Sequence, residues 1–552
     1  MAGTIAEAKP KAASPGGLRG PSDAYGLLAW GFVALGAALC GIHYFGARAL
    51  WLDEAMIALN LQHLSYAELA GRLDYGQIAP IGWIYLHKAL WELTHNLELG
   101  LRLTSFASAL ATLVLFRGLA FRELDRFGGL AATALICLSS PLVGYSANVK
   151  PYAVDILLVV MILDATTRLM RGDDRRWGAE LYLALVGALT VLFSFPAVFA
   201  LGACTGVVIV RRLLERRLWP AARLVAMSLL WLAGFAWLYL TVYAPEVKGS
   251  DLTSGGSDAF FSRTAYAPFP PKSPHDLLWY ADWARDYFTA MFGDRSIYAY
   301  GLLVAAGFWR LATRQAWLLL MIAGVFALAV VASSIKAYPL YHRLALFLLP
   351  AFILTAGAGA DFLVQRTKGA ALPAAAIVLL ASLASLSGLA HNLRLKPPYA
   401  NQQIQPLLAT VKAQLKPGDV IYVSNVGIPG FLLYGPRYGL FERPWIAASL
   451  GERTWPCIER RLPAMSPGSS VWMLFVLNDY PTKWAEAKPA LPGPGAALTQ
   501  VGSNVDATLY RLAVSSTAPP PPGPPPEACV DRGSGQKFDA PARLLTRIAA
   551  GG

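Results

Sequence analysis

The stretch ARALWLDEAMIAL, residues 47–59, places two adjacent carboxylates, Asp53 and Glu54, directly after the first long apolar segment of the chain. Charged side chains are costly to hold near lipid, so this pair indicates a site on the outer face of a membrane. A carboxylate there can act as a base for an acceptor group or as a metal ligand. The alternative is a solvated start to a surface helix.

Composition sets the broad class of the protein. The chain has 552 residues, of which 55% are hydrophobic and 15% charged, and its mean hydropathy is +0.45. The apolar residues come in long blocks, which is typical of a polytopic membrane protein. The formal charge of +13 comes from arginines clustered between these blocks. Such clusters indicate membrane topology, so no nucleic-acid partner is expected.

The apolar blocks predict about eleven transmembrane helices, given the length needed to cross a bilayer. These spans are 25–45, 101–121, 128–143, 151–170, 179–195, 197–210, 222–243, 297–309, 316–333, 344–361 and 370–389.

Arginines follow every second span, which predicts a cytoplasmic N-terminus. Examples are Arg122, Arg171, Arg212 and Arg310, at or just beyond the second, fourth, sixth and eighth spans. The apolar segment 81–93 is too short to cross the membrane, and we expect it to lie in the outer interface. If it crossed, the later arginine clusters would fall on the wrong side.

The sequence predicts four regions. Residues 1–24 form a flexible cytoplasmic N-terminus, and residues 25–395 form the transmembrane domain. Residues 396–515 have a soluble composition with one helical pattern, IQPLLATVKAQL, and two strand patterns, LKPGDVIYVS and SSVWMLFVL. They predict a small periplasmic α/β domain. Residues 516–552 are proline-rich and are expected to be flexible.

The five cysteines carry little chemistry. Cys40, Cys137 and Cys204 fall inside apolar spans, where a free thiol behaves as a small hydrophobe. Cys457 and Cys529 lie in the region predicted to be outside the cytoplasm, where oxidation is permitted. The sequence leaves open whether these two are bonded.

The second outer loop, YSANVKPYAVD, places Lys150 and Tyr152 at the mouth of the fourth span and Asp155 about one turn inside it. An unpaired carboxylate is costly at that depth, so Asp155 needs a partner, and Lys150 or a metal is the natural candidate. The alternative is a Lys150–Asp155 ion pair that merely caps the helix.

A third outer loop, SSIKAYPLYHRLALFLLP, groups basic and aromatic residues before an apolar span. Lys336, Tyr341, His342 and Arg343 either bind lipid headgroups without specificity or clamp a phosphate, which Arg343 can hold through two hydrogen bonds. The first loop adds His63 and Tyr75.

Four motifs in the outer loops and at the start of the second span resemble those of a known enzyme superfamily. The acidic dyad, the GQIAP turn before an aromatic-rich helix, the LRLTSF start of the second span and the KPYAVD loop resemble the GT-C superfamily of membrane glycosyltransferases. Within that superfamily they resemble the bacterial branch similar to protein O-mannosyltransferases and lipid A aminoarabinose transferases. The resemblance covers roughly residues 25–360 and is strongest over 48–165. Lys-Pro-Tyr stands where an arginine is common in that family.

The resemblance implies a donor sugar linked to polyprenyl phosphate and a glycolipid, polysaccharide or protein acceptor. It also implies a bacterial inner-membrane location and site residues in two roles. The catalytic residues are Asp53, Glu54 and Asp155, and the donor-phosphate residues are Arg343, Lys336, Lys150 and His342. From the outer loops themselves, we expect Tyr152, Tyr75, Tyr341 and His63 to bind substrate.

The residue types suit this chemistry on their own. Displacing a lipid phosphate from an anomeric carbon needs a base for the attacking hydroxyl and cations for the leaving phosphate, and a direct displacement inverts that carbon. A divalent metal shared by Asp53 and Asp155 is a further hypothesis, and the sequence assigns no certain cofactor. A lipid or sugar transporter and a non-catalytic envelope assembly protein are the alternatives. The charges gather at the outer surface rather than at the midplane, which favours the enzyme.

Overall fold

The computed structural model describes residues 22–172, 178–244, 265–448, 468–477, 497–513 and 541–550. Up to residue 394 the described chain is helical. Its helices are α1 Ser22–Phe45, α2 Leu52–His63, α3 Tyr66–Leu69, α4 Ile81–Thr94, α5 Leu103–Glu123, α6 Arg126–Cys137, α7 Ser140–Tyr145, α8 Tyr152–Arg171, α9 Gly178–Phe193, α10 Ala197–Leu214, α11 Leu218–Leu238, α12 Pro274–Phe292, α13 Ile297–Arg314, α14 Ala316–Ser334, α15 Leu349–Arg366 and α16 Leu372–Arg394.

Seven helices in the described part of the chain are long and apolar enough to cross a membrane. They are α1, α5, α10, α11, α14, α15 with the 3₁₀ turn before it, and α16. Helices α6 and α9 are apolar but shorter. The prediction of a polytopic helical membrane protein is confirmed, whereas the count of eleven spans stays a prediction.

Ion pairs and hydrogen bonds connect the helix ends that carry arginines. Arg122 bonds Asp164 at 2.7 Å and so joins α5 to α8. Asp361 of α15 accepts the backbone N–H of Gly128 in α6 at 2.6 Å. Arg117, near the end of α5, donates to the carbonyl of Gly26 at the start of α1. We call this end of the bundle the arginine-rich end. Helix α1 starts there, so α2, which follows α1, lies at the opposite end of the bundle. We call that opposite end the site end.

The third predicted span, 128–143, is interrupted. Helix α6 ends at Cys137, and Ser139 caps the short helix α7, accepting from the backbone N–H of Leu142 at 3.4 Å. Pro141 lies in the first turn of α7, where its missing N–H costs no hydrogen bond. The one-span prediction is therefore wrong at its end.

Segment 81–93 forms helix α4, and it is not among the helices with the length and composition of a span. Its Gly82 packs against the end of α9, where an added Cβ would lie 2.8 Å from the Leu192 carbonyl oxygen. This contact places α4 at the site end.

The C-terminal domain is a five-stranded mixed sheet with helices. Its elements are α17 Gln405–Gln414, β1 Val420–Val423, α18 Ile428–Tyr434, β2 Trp445–Ala447, β3 Ser470–Val476, β4 Ala497–Asn504 and β5 Ala507–Ala513. The strand order is β2-β1-β3-β5-β4, with β1 parallel to β2 and β3, and β5 antiparallel to β3 and β4. The predicted helix and both predicted strands are confirmed as α17, β1 and β3.

The C-terminal domain is bonded to the chain that leads into α2. The Gln403 and Gln402 side chains accept the backbone N–H groups of Ala49 at 3.1 Å and Leu52 at 2.8 Å. The hydroxyl of Tyr434 accepts the N–H of Leu50 at 2.8 Å. Side chains of one domain thus satisfy backbone donors of the other and fix the position of the acidic dyad.

The tail predicted to be flexible contains a helix, α19 Ala542–Ala549. Leu544 and Ile548, one turn apart, are both buried, and Arg543 and Arg547 of the same helix bond residues of the first loop. The expectation of a flexible tail is therefore wrong for residues 541–550, because this stretch has an amphipathic pattern that the proline-rich run before it lacks. The proline run itself lies outside the described residues.

The thiols of Cys40, Cys137 and Cys204 are free and buried, in line with their place in apolar helices. Cys457 and Cys529 lie outside the described residues, so their pairing stays an open prediction.

We expect Gly359→Ala to destabilise the helical domain by about 1–3 kcal/mol, because overpacking forces a shift of neighbouring atoms. A Cβ at Gly359 of α15 would lie 1.9 Å from the backbone oxygen of Leu303 in α13. Thermal unfolding in detergent measures the effect. Gly206→Ala in α10 is the matched control, since a Cβ there has no neighbour within 4 Å. Equal melting temperatures for the two variants would contradict the prediction.

Candidate active site

The two carboxylates of the dyad have separate surroundings. Helix α2 begins at Leu52, so Asp53 and Glu54 lie in its first turn, where the helix dipole favours negative charge. Glu54 also caps the helix by accepting the backbone N–H of Trp51 at 3.2 Å. The side chain of Glu54 is fully buried, whereas that of Asp53 is 15% exposed. Only Asp53 is placed to meet a ligand.

Glu54 is held between two buried arginines. Its carboxylate bonds Arg48 at 2.9 Å and Arg102 at 2.8 Å, and it accepts the backbone N–H of Val149 at 2.8 Å. Arg48 continues to the side-chain oxygen of Asn148 at 2.6 Å. One carboxylate thus ties the first loop, the start of α5 and the second loop together.

Burial alone would raise the pKa of Glu54, but its partners reverse the shift. The charges of Arg102 and Arg48, with the hydrogen bonds from Arg102 and Val149, lower the pKa to about 2. Glu54 therefore stays ionised at neutral pH and is unsuited to accept a proton. Its expected catalytic role is better described as positioning.

Asp53 forms an ion pair with Arg343, which lies 290 residues later in the chain. Arg343 belongs to the 3₁₀ turn His342–Leu348 before α15, and its guanidinium also lies over the Trp51 ring, 5.3 Å from the centroid. Two residues predicted from separate loops therefore meet in the structure.

Lys150 completes a charged group around Asp53. Its ammonium donates to the side-chain oxygen of Gln77 at 2.7 Å. Burial lowers its pKa to about 8; the charge of Asp53 opposes this shift and that of Arg343 adds to it. Lys150 is thus a half-buried cation next to the Asp53–Arg343 pair.

Asp155 is buried in the first turn of α8, and its partner is neither of those expected. The Ser194 hydroxyl donates to its carboxylate at 2.6 Å, while Lys150 bonds Gln77 instead. The expected Lys150–Asp155 contact is therefore wrong. Tyr152 lies within electrostatic range of both Asp53 and Asp155.

The other predicted residues are distributed around this group. Tyr152 packs edge-on against Tyr145, with ring centroids 5.1 Å apart, and Tyr341 packs in the same way on His342 at 4.0 Å. Lys336 is exposed at the end of α14 and, within the described part of the chain, forms no ion pair with the dyad. The structure therefore does not join Lys336 to the site.

His63 and Tyr75 belong to other parts of the first loop than the dyad. His63 is the last residue of α2, and Tyr75 lies in the 3₁₀ turn Asp74–Gly76 with a positive φ of 62°. Their expected role in substrate binding stays a prediction.

A cavity of about 620 Å³ opens beside the ion pair. Its polar lining comes from several segments of the helical domain and from the C-terminal domain. The lining includes Trp51, Arg48, Tyr145, Asn148, His342, Arg343, His391, Asn392, Tyr399, Asn401 and Asp506. The cavity is large enough for a sugar-sized ligand and polar enough to bind one through hydrogen bonds.

The described residues contain no group of three His, Cys, Asp or Glu side chains arranged to hold a metal ion. Asp53 is paired with Arg343 and Asp155 with Ser194. These residues do not fit the shared metal site raised from the sequence, and no step below passes through a metal.

Arg48, Arg102 and Asn148 were not among the predicted site residues. Arg102 was visible in the motif LRLTSF, as a charge at the start of an apolar span. Such a charge needs a partner, and this signal could have assigned it to Glu54.

The helical domain and its C-terminal sheet domain define a GT-C-like membrane fold. The fold is similar to that of ArnT from Cupriavidus metallidurans. The apo structure of ArnT aligns with a TM-score of 0.50 at 13% identity, covering 88% of this chain and 98% of that one. The structure bound to undecaprenyl phosphate aligns with a TM-score of 0.50 at 15% identity, covering 90% and 100%. The expected GT-C resemblance is confirmed as a fold.

No protein-family model and no curated protein matches the sequence. At such low identities, the similarity to ArnT establishes the fold alone.

We expect Glu54→Gln to destabilise the protein by about 3 kcal/mol or more at neutral pH, because it leaves two buried guanidiniums without their carboxylate. The folded protein holds the Glu54 pKa below its ordinary value of 4.5. The ionised carboxylate therefore stabilises the fold above that pH, and this contribution is lost as pH falls toward 2.

Melting temperatures of both proteins between pH 7 and pH 3 measure this effect. The difference in melting temperature between wild type and Glu54→Gln should become smaller as the pH is lowered. A difference in melting temperature that does not change with pH would mean that the charge of Glu54 does not stabilise the fold.

Proposed function

We propose that the protein is a glycosyltransferase that moves a sugar from a polyprenyl-phosphate-linked donor to a cell-envelope acceptor. The observation that carries this proposal is the pairing of Asp53 with Arg343 beside a polar cavity at the site end of an apolar helical bundle. A base, a phosphate-binding cation and room for a sugar are thereby brought together. Undecaprenyl phosphate in an ArnT crystal structure of the same fold supports this donor class.

The transfer is a direct displacement at the anomeric carbon. The acceptor oxygen forms a bond to that carbon as the bond to the phosphate oxygen breaks, and the configuration inverts. The hydroxyl proton passes to Asp53, and the lipid phosphate leaves with its negative charge stabilised by Arg343 and Lys150.

The Asp53–Arg343 pair couples donor binding to activation of the base. Without substrate, Arg343 neutralises Asp53. A donor phosphate offers Arg343 two oxygens in a matching geometry and competes with Asp53 for the guanidinium. Asp53 is then released from its ion pair, and its carboxylate is free to accept the proton of the acceptor hydroxyl.

We assign the site end to the outer face of a bacterial inner membrane. The arginine-rich end carries contacts such as Arg122–Asp164 and Arg310–Asp125, and positively charged helix ends favour the cytoplasm. A glycolipid, polysaccharide or protein acceptor then reaches the cavity from the periplasm. Asp506 of the C-terminal domain lines that cavity, so this domain is placed to contact the acceptor.

Asp53→Asn should fold normally and lower turnover of a polyprenyl-phosphate sugar by about 10²–10⁴-fold, because the base is lost while its shape is kept. Mass spectrometry of donor consumption in detergent measures the rate. Asp286→Asn, at an exposed position on α12, is the matched control and should leave turnover unchanged. Turnover near the wild-type rate in Asp53→Asn would refute the assignment.

The pH profile of kcat/KM for the donor should fall on the basic side as pH rises through about 8, the pKa to which burial lowers Lys150. The cation that holds the phosphate is lost above that pH, and kcat/KM reports groups on the free enzyme. Lys150→Arg keeps the charge and should flatten this limb, whatever its residual rate. A limb that is unchanged in Lys150→Arg would assign it to another group.

A further inference from the structure

Helix α19 lies against the first loop, far along the chain from the residues it contacts. Its apolar side is formed by Leu544 and Ile548, which are buried. Its polar side carries Arg543 and Arg547, also one turn apart. The helix thus has an apolar face for docking and two cations that select where it docks.

Arg547 bonds the end of α2 and the start of α3. Its guanidinium holds both carboxylate oxygens of Glu68, at 2.5 and 3.2 Å, and also donates to the backbone carbonyl of His63. Glu68 in turn caps α3 through Ser65. This contact fixes α19 at one point of the first loop.

Arg543 bonds the turn that follows. Its Nε lies 2.8 and 2.9 Å from the two carboxylate oxygens of Asp74, and its Nη2 donates to the carbonyl of Arg72 at 2.8 Å. The Asp74 backbone is bonded on both sides to Asn60 of α2, with N–H to Oδ1 at 2.8 Å and Nδ2 to carbonyl at 3.3 Å. The turn is therefore held from inside by α2 and from outside by α19.

This turn leads directly into the site. The backbone N–H of Gln77 closes the turn onto the carbonyl of Asp74 at 3.5 Å, and the Gln77 side chain accepts from Lys150 at 2.7 Å. Lys150 is the cation beside Asp53 and Arg343. A continuous path of contacts therefore runs from Arg543 through Asp74 and Gln77 to Lys150.

We propose that residues 541–550 act as a strap that fixes the Asp74–Gln77 turn and thereby orients Lys150 toward the leaving phosphate. Arg543 and Arg547 are positioning residues, since they touch the first loop and not the reacting atoms. The role of Lys150 in this proposal rests on the proposed function, whereas docking of the strap does not.

The strap is held by contacts that water and salt can reach. The side chains of Arg543 and Arg547 are 42% and 37% exposed, and exposed ion pairs are weakened by salt. Docking therefore depends on both cations and on the buried Leu544 together. Loss of any one should loosen the turn without unfolding the helical domain.

The test uses the full-length protein in detergent. Hydrogen–deuterium exchange over residues 60–77 reports docking, and donor turnover reports function. Arg543→Asp should raise exchange in this segment and lower kcat/KM for the donor about tenfold, within the range that small misplacements cost. Leu544→Asp, which leaves both ion pairs chemically possible but removes the apolar contact, should do the same.

Two further variants test the Arg543–Asp74 ion pair itself. The double variant Arg543→Asp with Asp74→Arg restores the opposite charges and should return exchange and turnover to within about twofold of wild type. Lys412→Asp, an equal charge change at an exposed position of α17, is the control and should change neither readout.

The pH profile of kcat/KM distinguishes a positioning effect of the strap on Lys150 from a general loosening of the first loop. When the strap is undocked, water reaches Lys150 more freely, so its pKa should rise and the basic limb of kcat/KM should move to higher pH. Asp53, Glu54 and Arg343 are the charged groups facing Lys150, and none of them is altered in these variants.

Different results would overturn docking of the strap, its positioning role and the proposed function. Exchange equal to wild type in both Arg543→Asp and Leu544→Asp overturns docking. Raised exchange with unchanged turnover and an unmoved basic limb overturns positioning, and so does a gain in turnover, which would make the strap inhibitory. A wild-type protein that turns over no polyprenyl-phosphate sugar refutes the proposed function, while the exchange result still decides docking.

Discussion

The buried carboxylate of Glu54 is the constraint on which the site depends. Two guanidiniums and two backbone N–H groups from three segments converge on it. A charge without such partners would be very costly in this interior, so the segments must come together for the protein to fold. Once they do, the neighbouring Asp53 stays partly exposed and pairs with Arg343, which lines the cavity. Of the two adjacent carboxylates, Glu54 thus holds three segments together, whereas Asp53 is the one that the proposed function uses.

The C-terminal part of the chain reinforces this arrangement from the other side. Gln402, Gln403 and Tyr434 accept backbone donors of the segment that leads into α2. Helix α19 holds the far end of the same loop through Arg543 and Arg547. The loop that carries the dyad is therefore bonded at both ends by residues that follow the helical bundle in sequence. Removing the whole C-terminal region would alter the site as well as any contact with the acceptor.

Much of the site was predictable because its residues are chemically out of place in their local sequence. Asp53, Lys150 and Arg343 are charges beside apolar spans, and the structure groups them. The partner of Asp155 was not predictable, since nothing in the sequence around Ser194 relates this serine to a carboxylate 39 residues earlier in the chain. The break in the third span at Ser139 was also missed, although Ser139, Ser140 and Pro141 carry the local signal of a helix start within an otherwise apolar block. Helix α19 was hidden by the proline-rich sequence before it.

The sequence by itself determined that the chain forms apolar helices, that a small α/β domain follows, and that charges gather between the spans. These properties depend on hydropathy and local periodicity, which are read along the chain. Only the tertiary structure decided which member of the dyad is fully buried and which stays partly exposed and pairs with Arg343. Successive residues of a helix point about 100° apart, so the chain must present one carboxylate to the interior and one to the open side. Packing against Arg48 and Arg102, distant from each other in sequence, makes that choice.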